Sequence, residues 1–274
     1  MTTISGKIVV ITGGTSGIGR HLALKLADRG ADVAIIARNR SRLLKTARNI
    51  ETRTNRKVLP FTCDLTDRGE ISSITARIKQ ELGAADILVN NAGIVSGSPF
   101  LDLTEEQIEA TFQTNILAPF RMTKAFLPEM LDRNSGHIVT VASAAGLVGV
   151  NRQTDYAASK HAAIGFMESL RAELRHSGSS VKTTTIMPYY TDTGMFRGVK
   201  TNRLLGLPLL KEEYVAEKIV EAIEKNHAEI KLPKLLYALP LMRAVLPVRA
   251  FDQMIDLFGV NDSMERVVTR EKES

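Results

Sequence analysis

The 274 residues contain no tryptophan and only one cysteine, Cys63. A lone thiol forms no internal disulfide, which suits a reducing compartment. Its place in the apolar run 58–63 reads as a small hydrophobe in a strand. No apolar run approaches the ~20 residues that a bilayer-spanning helix requires, so a transmembrane chain is not expected. Met1 leads almost directly into a strand, without the charged region and apolar core of a signal peptide. A cytoplasmic rather than secreted protein is therefore expected. No linker, repeat or composition break divides the sequence, and α/β folds reach this length as one unit. The net charge is +6, but the basic residues are dispersed and do not interleave with aromatics as a base-stacking surface demands. Nucleic-acid binding is not expected, and neither is a metal site.

What is present is an alternation of short β-branched runs and amphipathic stretches. Strand 7–12 is followed by Gly13-Gly-Thr-Ser-Gly-Ile-Gly19, and Leu22, Leu26 and Ala27 then share one helical face. Glycines at 13, 17 and 19 let the backbone turn tightly and approach a pyrophosphate, whose charge rests on the amides of a helix N-terminus. The second strand, 32–37, ends in Ala37-Arg38-Asn39-Arg40. An acid there would bond a ribose 2′-hydroxyl and repel a 2′-phosphate. The acid is missing and Arg38 can pair with a phosphate through two parallel hydrogen bonds, so NADP(H) is favoured over NAD(H). Arg38 otherwise reads as a solvated residue at a helix start. Asp64, after the third strand, faces an adenine ring or caps the next turn. Asn90-Asn-Ala-Gly93 closes the fourth strand, as a site of close cofactor approach or as a simple turn.

One helix is expected over 104–130, with Ile108, Phe112, Ile116, Phe120 and Leu127 on its apolar face and Asn115 inside it as a poor helix former. Asn115 is then a surface position, or it holds a bend or a buried water. Further helices over 41–54, 68–82, 155–176 and 212–226 and strands over 137–142, 181–187 and 229–232 complete the alternation. Such a chain makes right-handed crossovers and a doubly wound parallel sheet with helices on both faces. Ligands lie beyond the strand carboxyl ends in such sheets. Residues 13–19, Arg38, Asp64, Asn91, Ser143 and Pro188 all fall there. Ser143 stands thirteen positions before Tyr156, and Tyr156 four before Lys160, a spacing that puts the last two on one helical face.

Thr12-Gly-x-x-x-Gly-x-Gly19, Asn90-Asn-Ala-Gly93, Asn115, Ser143, Tyr156-x-x-x-Lys160, and Pro188 followed by Thr193 stand in an order and spacing that resembles the short-chain dehydrogenase/reductases over roughly residues 5–232. Tyr189 departs from the family, which often has glycine there. The resemblance implies a single Rossmann-type sheet of about seven strands in the order 3-2-1-4-5-6-7. It also implies a homodimer or homotetramer and hydride transfer between nicotinamide and a hydroxyl/carbonyl carbon. Cofactor contacts are implied for Gly13, Thr15, Ser16, Gly17, Ile18, Gly19, Arg38, Asn39, Asp64, Leu65, Asn91, Ala92, Gly93, Tyr156, Lys160, Pro188, Thr191 and Thr193. Hydride addition builds charge on the carbonyl oxygen, so a proton donor is needed within reach. Tyr156 is that acid, Lys160 is expected to lower its pKa from near 10, and Ser143 bonds the oxyanion. By resemblance, Lys160 also holds the nicotinamide ribose and Asn115 orders a water that relays protons to it.

Residues 191–210, rich in leucine and glycine, read as a lid over a lipophilic substrate, with 1–232 as the cofactor-binding and catalytic unit and 233–274 as its extension. The stretch 231–251 has four basic and no acidic residues among dense leucines, and Pro233, Pro240 and Pro247 break it into short pieces. It suits a peripheral membrane contact through 233–250 or a cover packed over the pocket or a partner subunit. This tail looks most like the branch of retinol and lipid-associated 17β-hydroxysteroid dehydrogenases, while Ala37-Arg-Asn39 and Thr191-Asp-Thr193 are similar to 3-ketosphinganine reductases. The expected substrate is a lipophilic alcohol, ketone or aldehyde. A small-ketone reductase and a non-catalytic NADP-binding sensor or scaffold are the alternatives.

Overall fold

Strands buried on both faces must be apolar without alternation, and the runs here meet that condition. The computed structural model describes residues 1–196, 199 and 207–264. In chain order it has β1 (Ile8–Thr12), α1 (Gly17–Asp28), β2 (Asp32–Ala37), α2 (Arg40–Thr54), β3 (Val58–Thr62), α3 (Arg68–Leu82) and β4 (Ile87–Asn90). Then come α4 (Glu105–Phe112), α5 (Ala118–Asp132), β5 (His137–Val141), α6 (Thr154–His176), β6 (Lys182–Pro188), α7 (Glu212–Lys225) and β7 (Glu229–Leu232). The strands form one parallel sheet in the order β3-β2-β1-β4-β5-β6-β7. Pro60, which has no amide proton to give, lies in β3 at the sheet edge, where a proline is tolerated.

Side chains alternate across the sheet. Val9 and Ile11 of β1 pack with Leu22 and Leu26 of α1 and Ile219 of α7, whereas Val10 joins Ile74 of α3 and Met122 of α5. Each such fully buried aliphatic side chain contributes roughly 1.5–3 kcal/mol. From β1 the chain winds outward through β2 to β3, then crosses back to start β4 on the other side of β1, and this reversal opens a crevice at the carboxyl edge between β1 and β4.

The single helix expected over 104–130 is corrected. α4 passes into a π turn, Gln113–Leu117, before α5 begins. A π turn adds one residue to the helical count, so the apolar stripe slips in phase. Ala118, Met122, Phe126 and Met130 are buried, while Phe120 stays 47% exposed and stacks on Phe166 of α6 at 4.0 Å. Asn115 is in the slipped turn and is buried, which removes its surface reading.

Beyond β7 the prolines act as expected. Pro233 precedes a 3-10 turn (Lys234–Tyr237), Pro240 opens α8 (Leu239–Val245) and Pro247 precedes α9 (Val248–Leu257), positions where a missing amide proton costs nothing. Among the described residues, no helix is long and apolar enough to cross a membrane. Of the lid expected over 191–210, residues 197, 198 and 200–206, including Leu204 and Leu205, lie outside the described residues, as do 265–274 of the extension.

Candidate active site

The glycine turn after β1 is fixed by backbone geometry. Gly13 and Gly17 have φ of 71° and 58°, in the left-handed region that favours glycine. A Cβ on Gly19 would stand 2.4 Å from the Gly13 carbonyl oxygen and 2.5 Å from Asn91 Nδ2. Asn91 pins the turn: its Nδ2 donates to the carbonyls of Thr12 (3.0 Å) and Gly13 (3.3 Å). Thr12 Oγ1 accepts from the Asn91 and Ala92 amides at 3.0 and 3.1 Å. The side chain expected to meet a cofactor therefore also builds the cradle. α1 begins behind this turn with no acidic side chain in its first turn, so its positive end suits an anion such as a pyrophosphate.

At the end of β2, Arg38 is exposed and borders the same cleft as Arg42, a second cation that sequence reasoning missed. Asn39 Oδ1 caps α2 by accepting from the Arg42 amide at 2.9 Å. Asp64 Oδ1 accepts from the Thr66 amide and hydroxyl at 2.9 and 2.8 Å. The Thr66 amide holds its carboxyl below the ordinary range, with Arg38 adding to the effect. Asp64 thus caps a turn and lines the cleft at once, while the cap of α3 itself is Asp67.

Tyr156 and Lys160 lie on α6 and are both buried. Ser143, directly after β5, accepts from the Ala145 amide at 3.1 Å, and its hydroxyl favours the ionised form of the Tyr156 phenol. Lys160 Nζ donates to the Val141 carbonyl at 3.0 Å and stands 5.5 Å from the Tyr156 ring centre. Burial pushes the Tyr156 phenol above its usual range, with the Ser143 hydroxyl opposing, and burial lowers Lys160 to about 8. Among the protein's own groups, desolvation therefore outweighs the lowering expected of Lys160 on Tyr156. Asn115 Oδ1 accepts from the Ile94 amide (2.8 Å), and its Nδ2 donates to the Ile94 carbonyl (2.9 Å) and Ser159 Oγ (3.0 Å). It clamps the segment after β4 onto α6.

These groups meet in one cleft of about 430 Å³. Every residue expected at the site lines it except Gly19 and Asn115, which stand behind the glycine turn and beside Gly93. Tyr189, the departure from the family pattern, also lines it, edge-on to Tyr190 at 4.9 Å. The far half is apolar, with Val148, Val150, Leu207, Leu239, Met242 and Met254. The extension beyond β7 therefore covers the pocket. Sequence reasoning missed Gln153 and Tyr190, which line the cleft too; the one available signal was the position of Gln153 a helical turn before Tyr156.

Comparison with known proteins shows the family and the fold. The family model of the short chain dehydrogenases matches residues 7–204. The chain is 38% identical over 272 residues to epidermal retinol dehydrogenase 2 of Mus musculus, covering 99% of this chain and 88% of that protein. A short-chain dehydrogenase/reductase of Burkholderia phymatum, solved with NAD, superposes with a TM-score of 0.79 at 24% identity, covering 93% of this chain and 97% of that one. An alcohol dehydrogenase of Thermococcus sibiricus, solved with 5-hydroxy-NADP, gives 0.73 at 26% identity, covering 82% and 95%. The chain belongs to the short-chain dehydrogenase/reductase family and is an oxidoreductase acting on CH–OH groups.

Proposed function

We propose that the protein is an NADP(H)-dependent oxidoreductase that interconverts the hydroxyl and carbonyl forms of a lipophilic compound. One observation carries the reading: Ser143, Tyr156 and Lys160 share a single cleft that leads from the glycine turn to an apolar chamber. The nicotinamide cofactor, when bound, supplies or accepts the hydride. The glycine turn and the start of α1 would hold its pyrophosphate, and Asp64, Leu65, Ala92, Gly93, Pro188, Thr191 and Thr193 would supply its remaining contacts. Ser143 and Tyr156 hold the substrate oxygen. Tyr156, kept protonated through neutral pH by its burial, gives that oxygen its proton. Lys160 contributes its ammonium beside the phenol, and Asn115 fixes the segment that carries Gly93. The relay water expected at Asn115 belongs to the same reading.

Arg38 and Arg42 take the 2′-phosphate, since Ala37 offers no competing acid. Arg38→Glu is expected to cut the kcat/KM ratio of NADPH over NADH by about 10- to 100-fold, the value of a charged hydrogen bond of about 1.5–3 kcal/mol. An unchanged ratio removes Arg38 from cofactor selection.

The apolar far half of the cleft and the retinol dehydrogenase relative support a lipophilic substrate. NADPH oxidation measured with retinal, ketosteroids, 3-ketosphinganine, long-chain aldehydes and small diketones tests this. A preference for small diketones overturns it. The outer side of the extension leaves Leu241, Val245 and Val248 between 67% and 75% exposed, near Arg243 and Arg249 in sequence, and this supports peripheral contact with an anionic membrane. Replacing the three with serine is expected to lower flotation with anionic liposomes, and equal flotation excludes the contact.

A further inference from the structure

The cleft contains a polar group that the hydride chemistry does not use. Gln153, Tyr190 and Ser263 come from three separate segments, the start of α6, the loop after β6 and the tail after α9. All three are buried in an otherwise apolar region. Gln153 Nε2 lies 3.0 Å from Tyr190 Oη, and Tyr190 Oη lies 2.9 Å from Ser263 Oγ. Ser263 Oγ is also 2.5 Å from the Val260 carbonyl oxygen. Gln153 Oε1 is buried and has no hydrogen-bond partner among the described residues.

Counting protons fixes the direction of this chain. A carbonyl only accepts, so the single Ser263 proton goes to Val260. Ser263 then accepts from Tyr190, whose one proton is thereby used. Tyr190 Oη must accept from Gln153, so the amide presents its NH₂ to the phenol. Its carbonyl oxygen is the end left over. A buried acceptor without a donor costs about 1–3 kcal/mol. A ligand that brings a donor recovers that loss.

The residue that carries the leftover acceptor lines the cleft of the chemistry. Gln153 is the residue just before α6 and precedes Tyr156 by three. Both line the same cleft. Phe196 bridges the two tyrosines, edge-on to Tyr190 at 5.2 Å and to Tyr156 at 6.0 Å.

We propose that Gln153 is a specificity residue whose carbonyl oxygen accepts a hydrogen bond from a second hydroxyl or N–H of the substrate, a few bonds from the reacting carbon. The inference rests on the oxidoreductase reading and narrows its substrate class to lipophilic carbonyl compounds bearing a neighbouring donor, such as long-chain hydroxy ketones. Ser263, through Tyr190, is a positioning residue that sets which end of the amide faces the ligand.

The test compares kcat/KM with NADPH for a long-chain ketone, its α- and β-hydroxy counterparts and their methoxy ethers. The wild-type protein is expected to prefer one hydroxy ketone over the plain ketone by about 10- to 100-fold, the worth of pairing a buried acceptor. Gln153→Met, which keeps length and removes the acceptor, brings that ratio to about one. Ser263→Ala frees the Tyr190 proton and lets the amide turn its NH₂ to the ligand, from which a hydroxyl and an ether oxygen both accept, so the preference for the hydroxy ketone over its methoxy ether falls to about one. A purely structural role for Gln153 would lower all substrates together and leave the ratio unmoved. A wild-type ratio near one, as when only a water meets the oxygen, or a ratio retained in Gln153→Met, overturns the proposal while the oxidoreductase reading stands. Turnover of none of the compounds sinks both.

Discussion

Tyr156→Phe is expected to lower kcat for carbonyl reduction by about 10²–10⁴-fold, the usual worth of a positioned general acid, with NADPH affinity unchanged. The substitution isolates the hydroxyl because the ring is retained. Its edge-on packing against Phe196 at 6.0 Å and its burial on α6 do not depend on the oxygen. What disappears is the phenol that Ser143 acts on and the one proton that stands ready for the substrate oxygen. Steady-state kinetics alongside an NADPH fluorescence titration separate the two quantities. Retained turnover would remove Tyr156 from the mechanism, and a parallel loss of NADPH binding would make its role structural.

Gly19→Ala carries the second large effect, this time on cofactor binding. The added methyl would stand 2.4 Å from the Gly13 carbonyl oxygen, a backbone atom that cannot swing aside, and 2.5 Å from the Asn91 amide that pins the turn. Either the turn opens or α1 retreats, and both spoil the approach of backbone amides to a pyrophosphate. NADPH affinity is expected to fall by about 100-fold or more, near 2.7 kcal/mol. Gly149→Ala is the control, since nothing lies within 4 Å of its added Cβ. Affinity in Gly19→Ala equal to that of the control, in a protein with native circular dichroism, would mean that this turn does not hold the phosphates.

The contrast between these residues and others shows where the sequence was readable. The strands were legible because burial on both faces leaves them continuously apolar. The glycine turn and Tyr156-x-x-x-Lys160 were legible because their chemistry demands fixed local spacing. The phase of α5 was not, because periodicity assumes an uninterrupted count and the π turn at Asn115 adds a residue. The Gln153–Tyr190–Ser263 chain was hidden for another reason: its members are 37 and 73 residues apart, joined only by folding. The tail was half legible. Its composition gave both an apolar cover and an apolar surface, and the structure assigns them to different residues, Leu239 and Met242 lining the cleft while Leu241 and Val245 face outward.

The central claim is that this cleft moves hydride between a nicotinamide and a lipophilic carbonyl carbon. It is tested most directly by incubating the protein with NADPH deuterated on the nicotinamide ring and a panel of retinal, ketosteroids and long-chain hydroxy ketones, followed by mass spectrometry of the products. The account predicts an alcohol carrying one deuterium on the former carbonyl carbon. Folded protein that binds NADPH yet yields no labelled alcohol from any of them would contradict it and leave a dinucleotide-binding scaffold.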